Sequence, residues 1–169
     1  SAVGLQVGLA GPEVSVLTYN TYYKAHKNST KLKNIKNVIW DPTTHKPRHD
    51  ITVLQEATWR LHDCLDHTKG TWRRHAVAYH DHKHGATTRN VAVREPYDIN
   101  GYTYFCSYNT EHGNRSVSVE GSISIVKTDL LGGAAPEFAG TFASGPGRSC
   151  QLITIDNIAN PMVIVNVHA

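Results

Sequence analysis

Three apolar segments of this chain end in polar side chains, and this pattern constrains the fold more than any other feature of the sequence. The segments are Val14–Asn20, Ile51–Glu56 and Met162–His168. β-Branched and other apolar residues dominate each one, so each predicts a β-strand. The first ends in Asn, the second in Gln-Glu and the third in Asn-x-His. Because ligands of open α/β sheets collect at the carboxyl ends of strands, we expect these polar ends to form one site.

The segment between the first two strands predicts an amphipathic helix. Over residues 30–40 the lysines lie between apolar residues at helical spacing, and Asp41 followed by Pro42 ends the pattern. A strand, a helix and a second strand in this order indicate a crossover unit with two parallel strands. The expected fold class is therefore α/β.

The remaining sequence predicts mostly strands. Residues 58–65 predict a short helix, and residues 131–147, rich in Gly, Ala and Pro, predict a connector. Residues 1–13 predict a lead-in arm before a domain spanning 14–169. Residues 80–85 predict a turn, whose three alternating histidines are more typical of solvent-exposed residues than of metal ligands. The further strands are expected at 72–79, 90–94, 102–108, 122–126 and 151–155, with that at 122–126 half-buried.

Composition limits the functional classes. A length of 169 residues with 40% hydrophobic and 18% charged residues suits one folded domain. No apolar run approaches the ~20 residues of a membrane span. Residues 1–94 hold 14 Lys/Arg against 7 Asp/Glu, whereas residues 95–169 hold 3 against 7. A basic half beside an acidic half permits a nucleic-acid partner. The three cysteines allow one disulfide or three free thiols, and they fit no zinc-binding spacing.

Glu56 admits two interpretations. A carboxylate at the end of a buried strand is a hard oxygen ligand suited to Mg²⁺. A carboxylate is also favoured at the N-terminus of the helix that follows. The polar ends of the other two strands favour the metal interpretation, because Asn can position a phosphate oxygen and His can move a proton near neutral pH.

Three motifs resemble the endonuclease/exonuclease/phosphatase superfamily, typified by deoxyribonuclease I. They are residues 17–20 (Leu-Thr-Tyr-Asn), 53–56 (Val-Leu-Gln-Glu) and 165–168 (Val-Asn-Val-His). Residues 111–116 and 120–126 resemble the segment before the central strand of that family. The placement of Arg115 and Arg148 is most similar to the branch of cytolethal distending toxin nuclease subunits.

The resemblance implies a fold and a set of ligands. The family fold is a four-layer α/β sandwich, of which this chain would hold mainly the first sheet with its helices and the start of the second. Glu56 would bind Mg²⁺, with Mn²⁺ or Ca²⁺ as alternatives. Asn20 would lie beside it and orient metal and phosphate, and Asn166 is a further candidate for phosphate binding or a structural role.

The resemblance also implies catalytic roles. His168 would act at the scissile phosphate, and Glu111 would fix its orientation. Arg115 and Arg148 would hold phosphate oxygens. The function implied is a metal-dependent phosphodiesterase, foremost a DNA endonuclease. Alternatives are a phosphoinositide or sphingomyelin phosphohydrolase and a non-catalytic binding module.

One departure from the family pattern is clear. The family has an Asp-x-Asn pair after the histidine strand and a later Asp-His pair, whereas this sequence stops at Ala169. We therefore expect a partner chain or a further carboxyl-terminal segment to complete the domain, and we expect the 169 residues alone to be inactive. Because the second sheet would be barely begun, we expect an apolar sheet face to be left uncovered. The sequence fits a secreted toxin-like protein and an intracellular enzyme equally.

Overall fold

A computed structural model of the chain describes residues 2–7, 13–65, 72–81, 85–108, 120–132, 137–145, 148–155, 157 and 161–168. Two α-helices and thirteen strands are assigned in these ranges. The helices are α1 Ser29–Ile39 and α2 Trp59–Leu65, with 3₁₀ helices at Tyr23–Lys27 and Thr128–Leu131. The strands are β1 Ala2–Val7, β2 Val14–Asn20, β3 Trp40–Asp41, β4 Lys46–Pro47, β5 Ile51–Thr58, β6 Trp72–Asp81, β7 Gly85–Arg94, β8 Tyr97–Ile99, β9 Tyr102–Tyr108, β10 Glu120–Lys127, β11 Glu137–Gly145, β12 Arg148–Ile155 and β13 Met162–Asn166.

An eight-stranded mixed sheet forms the centre of the fold. Its order is β1-β2-β5-β10-β9-β7-β6, and β8 pairs with β9. Strands β2 and β5 are parallel neighbours joined through α1, so the predicted crossover is confirmed. Their register sets Asn20 opposite Gln55, which brings two of the polar strand ends together. The other strand pairs of this sheet are antiparallel.

The two faces of the large sheet are covered differently. The helices pack on one face, where Ile35 and Ile39 of α1 and Leu61 of α2 join a buried cluster with sheet residues such as Leu54. A second sheet, in the order β11-β12-β13, packs on the other face. The described residues thus form three layers: helices, a large mixed sheet and a small antiparallel sheet. This is an α/β fold, and a fourth layer is not among these residues.

The second sheet corrects one expectation and supplies the third of the polar strand ends. Residues 137–145 form β11, although their Gly and Ala content predicted a connector; pairing with β12 supplies the structure that local propensity does not. The third polar-ended strand, β13, lies in this second sheet and not beside β2 and β5. Its polar end reaches the common region from the opposite layer.

Strand β10 also differs from prediction. Its strict Ser-Ile alternation predicted one solvated face, but residues 121–126 are buried on both faces. The isoleucines Ile123 and Ile125 face the helices, while Ser124 faces the second sheet and donates a 2.6 Å hydrogen bond to Gln151 Oε1. A small polar residue therefore marks a contact between layers, not a solvent-exposed surface.

The outer face of β13 is apolar and exposed. Val163, Val165 and Val167 are 61%, 51% and 47% exposed, whereas Ile164 between them is buried against the large sheet. The second sheet covers the large sheet, and the exposed apolar surface lies instead on the outer side of β13. The three cysteines are free thiols. No described helix has the length and apolar character that crossing a bilayer requires.

Candidate metal centre

A β-bulge in β5 presents Glu56. Opposite Ser122 of β10, strand β5 carries two residues, Gln55 and Glu56, since Leu54 pairs with Ile123 and Ala57 pairs with Gly121. Glu56 adopts φ +55°, a left-handed conformation that side-chain-bearing residues rarely adopt. Bulges of this kind redirect a side chain and recur next to active sites. The strained backbone indicates that the direction of this carboxylate is specified by the fold.

Contacts from the turn after β2 hold the bulge in place. The backbone N–H of Tyr23 donates to Glu56 Oε2 at 3.1 Å. The Thr21 hydroxyl lies 3.0 Å from the Gln55 carbonyl and 3.2 Å from the Glu56 carbonyl, to which it donates. One carboxylate oxygen of Glu56 is therefore fixed by the chain itself, and Oε1 points elsewhere.

Glu56 Oε1 points to His168, which lies between two carboxylates. His168 Nε2 is 3.4 Å from Glu56 Oε1, and His168 Nδ1 is 3.7 Å from Glu120 Oε1. Their side chains are 14–19% exposed, so the cluster is partly screened from water yet accessible. One ligand atom from each residue can be chosen so that all three lie within 4.8 Å of one another.

Glu120 is the site residue that sequence reasoning did not select. It is the first residue of β10 and lies opposite Thr58 at the end of β5. Because β10 runs antiparallel to β5, the residue that begins β10 lies beside the residues that end β5. Next to it, Gly121 allows β9 to approach closely, since a Cβ there would overlap the Ser107 carbonyl oxygen. In the sequence, Glu120 is visible only as an acid that precedes Gly and an apolar strand. This pattern identifies a site residue only when the pairing of β10 with β5 is known.

Asn166 has a structural position in this arrangement. It is fully buried, and its Nδ2 donates to the carbonyls of Leu54 and Ile123 at 3.1 Å each. Its Oδ1 accepts from Gln55 Nε2 at 2.9 Å. The predicted phosphate contact of Asn166 is not supported, because its side-chain amide already bonds to Leu54, Ile123 and Gln55 inside a buried layer. The structural alternative fits this placement.

A second buried amide extends this network. Gln151 of β12 donates through Nε2 to Ser122 O at 2.9 Å and accepts from Ser124 Oγ. Its Oε1 also lies 3.4 Å from Asn166 Nδ2. The two sheets are therefore joined by hydrogen-bonded amides directly beneath Glu56 and His168, in addition to apolar packing. Such networks specify a unique packing when their members are satisfied.

Of the other predicted site residues, Asn20 has a described side chain and three residues do not. Asn20 ends β2 as expected, and its Oδ1 accepts from Tyr22 N at 3.0 Å, which stabilises the turn that carries Tyr23 to Glu56. Glu111 and Arg115 lie outside the described residues, as do the histidines at positions 82 and 84. Arg148 begins β12, and its side chain is not among those described.

His26 is a buried neighbour of the cluster that the sequence did not reveal. Its Nδ1 is 2.6 Å from Thr58 Oγ1 and its Nε2 is 3.0 Å from Thr21 Oγ1. Since the Thr21 hydroxyl donates to the bulge carbonyls, His26 Nε2 donates to Thr21 and Nδ1 accepts from Thr58. Burial lowers the pKa of His26 to about 4, although Thr21 and the charge of Glu56 act in the opposite direction. His26 is thus a neutral support for the bulge.

The donor set of the cluster fits a divalent cation. Mg²⁺ prefers oxygen ligands at ~2.0–2.1 Å, so opposite ligands lie ~4 Å apart, close to the separation available here. Glu56 and Glu120 each provide a carboxylate oxygen, and the imidazole of His168 would also suit Mn²⁺. The two carboxylates and the imidazole can alternatively interact with one another without an ion.

Comparison with protein families, curated proteins and solved structures returns no match for this chain. The functional interpretation therefore depends on the geometry of the cluster and on the residues around it.

Proposed function

We propose that this protein is a divalent-metal-dependent phosphodiesterase that cleaves DNA. The observation that carries the proposal is the convergence of Glu56, Glu120 and His168, from β5, β10 and the end of β13, on one partly exposed point. Two carboxylates beside an imidazole supply both a cation site and a proton-transfer group, which are the main requirements for phosphodiester hydrolysis.

The residues of the cluster would have distinct roles. Glu56 and Glu120 would hold Mg²⁺, which when bound stabilises negative charge on phosphate oxygens. Tyr23 N–H keeps Glu56 Oε2 in place, so Oε1 is directed into the cluster. Glu120 Oε1 lies 3.7 Å from His168 Nδ1 and would orient the ring, as a carboxylate orients a catalytic imidazole. His168 Nε2 would then donate a proton at the scissile phosphate.

Strand topology supports the proposed relation to deoxyribonuclease I-like enzymes. The parallel β2–β5 pair, the helices on one face and a second sheet on the other agree with two packed sheets between helical layers. We propose that the complete domain is a four-layer sandwich whose further layer covers Val163, Val165 and Val167. The role that the resemblance gave to Glu111 is here assigned to Glu120, which lies beside His168 Nδ1.

Cation binding tests the cluster directly. Mn²⁺ binding followed by electron paramagnetic resonance should show one site in the wild type and at least tenfold weaker binding in Glu56→Gln and Glu120→Gln. Glu13→Gln is the matched control, because Glu13 is exposed and precedes β2, at the end of the sheet opposite to Glu56. Equal Mn²⁺ binding by all four proteins would refute the metal centre.

Nicking of supercoiled plasmid tests the reaction. The natural full-length protein should convert the plasmid to open circles with Mg²⁺ and not with EDTA, and Glu56→Gln should reduce the rate by at least a hundredfold. Nicking that is independent of Glu56 would overturn the assignment. A wild type that leaves DNA intact but releases phosphate from phosphoinositides, or phosphocholine from sphingomyelin, would indicate the lipid-directed alternative. No reaction on any of these substrates would favour a binding module.

A further inference from the structure

A stretch of the chain next to the metal centre is basic and lacks acids. Between Glu13 and Asp41 the sequence contains no Asp or Glu. Its lysines lie on the 3₁₀ helix Tyr23–Lys27 and on α1, and we refer to these two elements with their lysines as the basic ridge: Lys24, Lys27, Lys31, Lys33 and Lys36. Four of the five are exposed and Lys36 is half-buried. Five cations without an acid within the same 27 residues attract a polyanion.

The basic ridge begins at the metal centre. Tyr23, the first residue of the 3₁₀ helix, donates its N–H to Glu56, and Lys24 follows directly. From there α1 runs for 11 residues, about 16 Å at 1.5 Å per residue. A nucleic-acid strand advances ~3.4 Å per nucleotide, so the helix spans about five nucleotides. The ridge therefore has the position and the length to hold the backbone flanking a bond at the cluster.

A cavity of about 230 Å³ lies at the far end of the ridge. Lys33, Lys36, Trp40 and His45 contribute to its lining, and Lys36 Nζ lies 4.9 Å from the centre of a Trp40 ring. Trp40 is only 8% exposed, and its indole Nε1 has no hydrogen-bond partner among the described residues. The cavity therefore combines two lysines with an aromatic ring.

One acid also lines this cavity, but its charge is engaged locally. Asp41 Oδ1 accepts from Thr43 N at 2.8 Å. The hydrogen bond from Thr43 is the main cause that lowers the pKa of Asp41, and Arg48 contributes to the same direction. The lining of the cavity thus holds two lysines, Lys33 and Lys36, and one carboxylate that already accepts a hydrogen bond from Thr43.

We propose that the basic ridge and its cavity bind the phosphate backbone of a DNA duplex whose scissile bond lies at the Glu56–Glu120–His168 cluster. This inference rests on the proposed function and names the substrate class of the same site. A small soluble phosphate ester would reach the cluster alone, whereas lysines distributed along the 3₁₀ helix and α1 favour an extended polyanion. The lysine ammonium groups contact phosphates without reading bases, so binding is independent of sequence.

Duplex binding without metal tests the ridge separately from catalysis. Fluorescence anisotropy of a labelled 20-base-pair duplex, in EDTA, is measured from low to high salt for the wild type and for Lys33→Gln/Lys36→Gln. The slope of log K against log salt is negative, and each lost phosphate contact reduces its magnitude by ~0.9. The double variant should therefore bind at least about tenfold more weakly at ~0.1 M salt, with a slope whose magnitude is smaller by about 2.

A charge-matched control excludes a general charge effect. Arg74→Gln/Lys127→Gln removes two positive charges that do not belong to the ridge, one on β6 and one at the carboxyl end of β10. This control should bind within twofold of the wild type, and thermal unfolding should show that both variants are folded. Equal weakening by the two double variants, or an unchanged slope in Lys33→Gln/Lys36→Gln, would overturn the proposal.

The outcomes also separate the ridge from the reaction. Weaker duplex binding without plasmid nicking by the wild type would support the ridge and refute the nuclease. Glu56-dependent nicking with unchanged duplex binding would refute the ridge and keep the nuclease. Selective loss of binding to vesicles that contain phosphatidylserine, with duplex binding unchanged, would assign the ridge to a membrane surface and overturn the proposal.

Discussion

The side-chain amide of Gln55 donates to Asn166 Oδ1 at 2.9 Å. The two residues are 111 positions apart in the chain, and their strands, β5 and β13, lie in different sheets. Glu56 follows Gln55 in the chain, and His168 lies two residues after Asn166. The hydrogen bond therefore fixes the distance between the two residues that carry the proposed chemistry. The surrounding amides are buried, so this contact also contributes to the cohesion of the two sheets.

Removal of the Asn166 amide should destabilise the fold strongly. Asn166→Ala leaves the carbonyls of Leu54 and Ile123 and the amide of Gln55 with fewer partners in a buried layer. Each unsatisfied buried group costs about 1–3 kcal/mol, so we expect a loss of roughly 2–4 kcal/mol in urea unfolding. Asn34→Ala, an exposed change on α1, should alter stability by less than about 0.5 kcal/mol. Comparable losses in the two variants would contradict the role of the amide network.

The left-handed backbone of Glu56 allows its effect on stability to be tested separately from the loss of the carboxylate. At φ +55°, Gly is favoured over residues with a Cβ by about 1–2 kcal/mol. Glu56→Gly and Glu56→Ala both remove the carboxylate and should both lose Mn²⁺ binding. Glu56→Gly should nevertheless be about 1 kcal/mol more stable than Glu56→Ala in urea unfolding. Equal stability of the two variants would mean that the bulge relaxes once the carboxylate is gone.

Local pattern was sufficient to predict part of this structure. The strands β2 and β5 and helix α1 follow from short-range periodicity, and the predicted ends of α1 differ by one residue from those observed. The parallel pairing of β2 and β5 follows from their order around that helix. Glu56 was selected for the same reason, since an acid at the end of a buried strand is conspicuous in sequence.

Features that depend on distant pairing were not predicted. The bulge at Glu56 exists because β5 has one residue more than β10 between two pairs of partners, and sequence does not show which strands pair. Glu120 enters the site only through that antiparallel pairing. The sequence predicted a ligand role for Asn166 because its structural partners cannot be recognised there. These partners are Gln55 and the carbonyls of Leu54 and Ile123, all more than 40 residues away.

His26 should make stability dependent on pH. Its pKa is about 4 in the folded protein, mainly through burial, against an ordinary value of 6.5. The unfolded chain therefore binds more protons between these values. The contribution of neutral His26 to the free energy of unfolding is complete above pH 6.5. It is lost as the pH falls from 6.5 to 4, by about 3 kcal/mol in total.

Urea unfolding at a series of pH values checks this prediction. His26→Gln should be less sensitive than the wild type to acidification from pH 7 to pH 4, even if it is less stable at pH 7. His45→Gln, at an exposed position, should follow the wild-type pH profile. Parallel pH profiles for the wild type and His26→Gln would show that another group causes the acid sensitivity.

The exposed apolar face of β13 predicts a contrast between adjacent residues. Ile164 is 9% exposed and packs between the sheets, whereas Val165 is 51% exposed on the outer face. In the 169-residue chain, Ile164→Ala should cost about 2–4 kcal/mol through lost burial and a residual cavity, and Val165→Ala should cost less than about 1 kcal/mol. A Val165→Ala cost as large as that of Ile164→Ala in urea unfolding would mean that the outer face is buried in solution. Such burial would require an additional layer or a partner on β13, because the described residues leave Val163, Val165 and Val167 open to solvent.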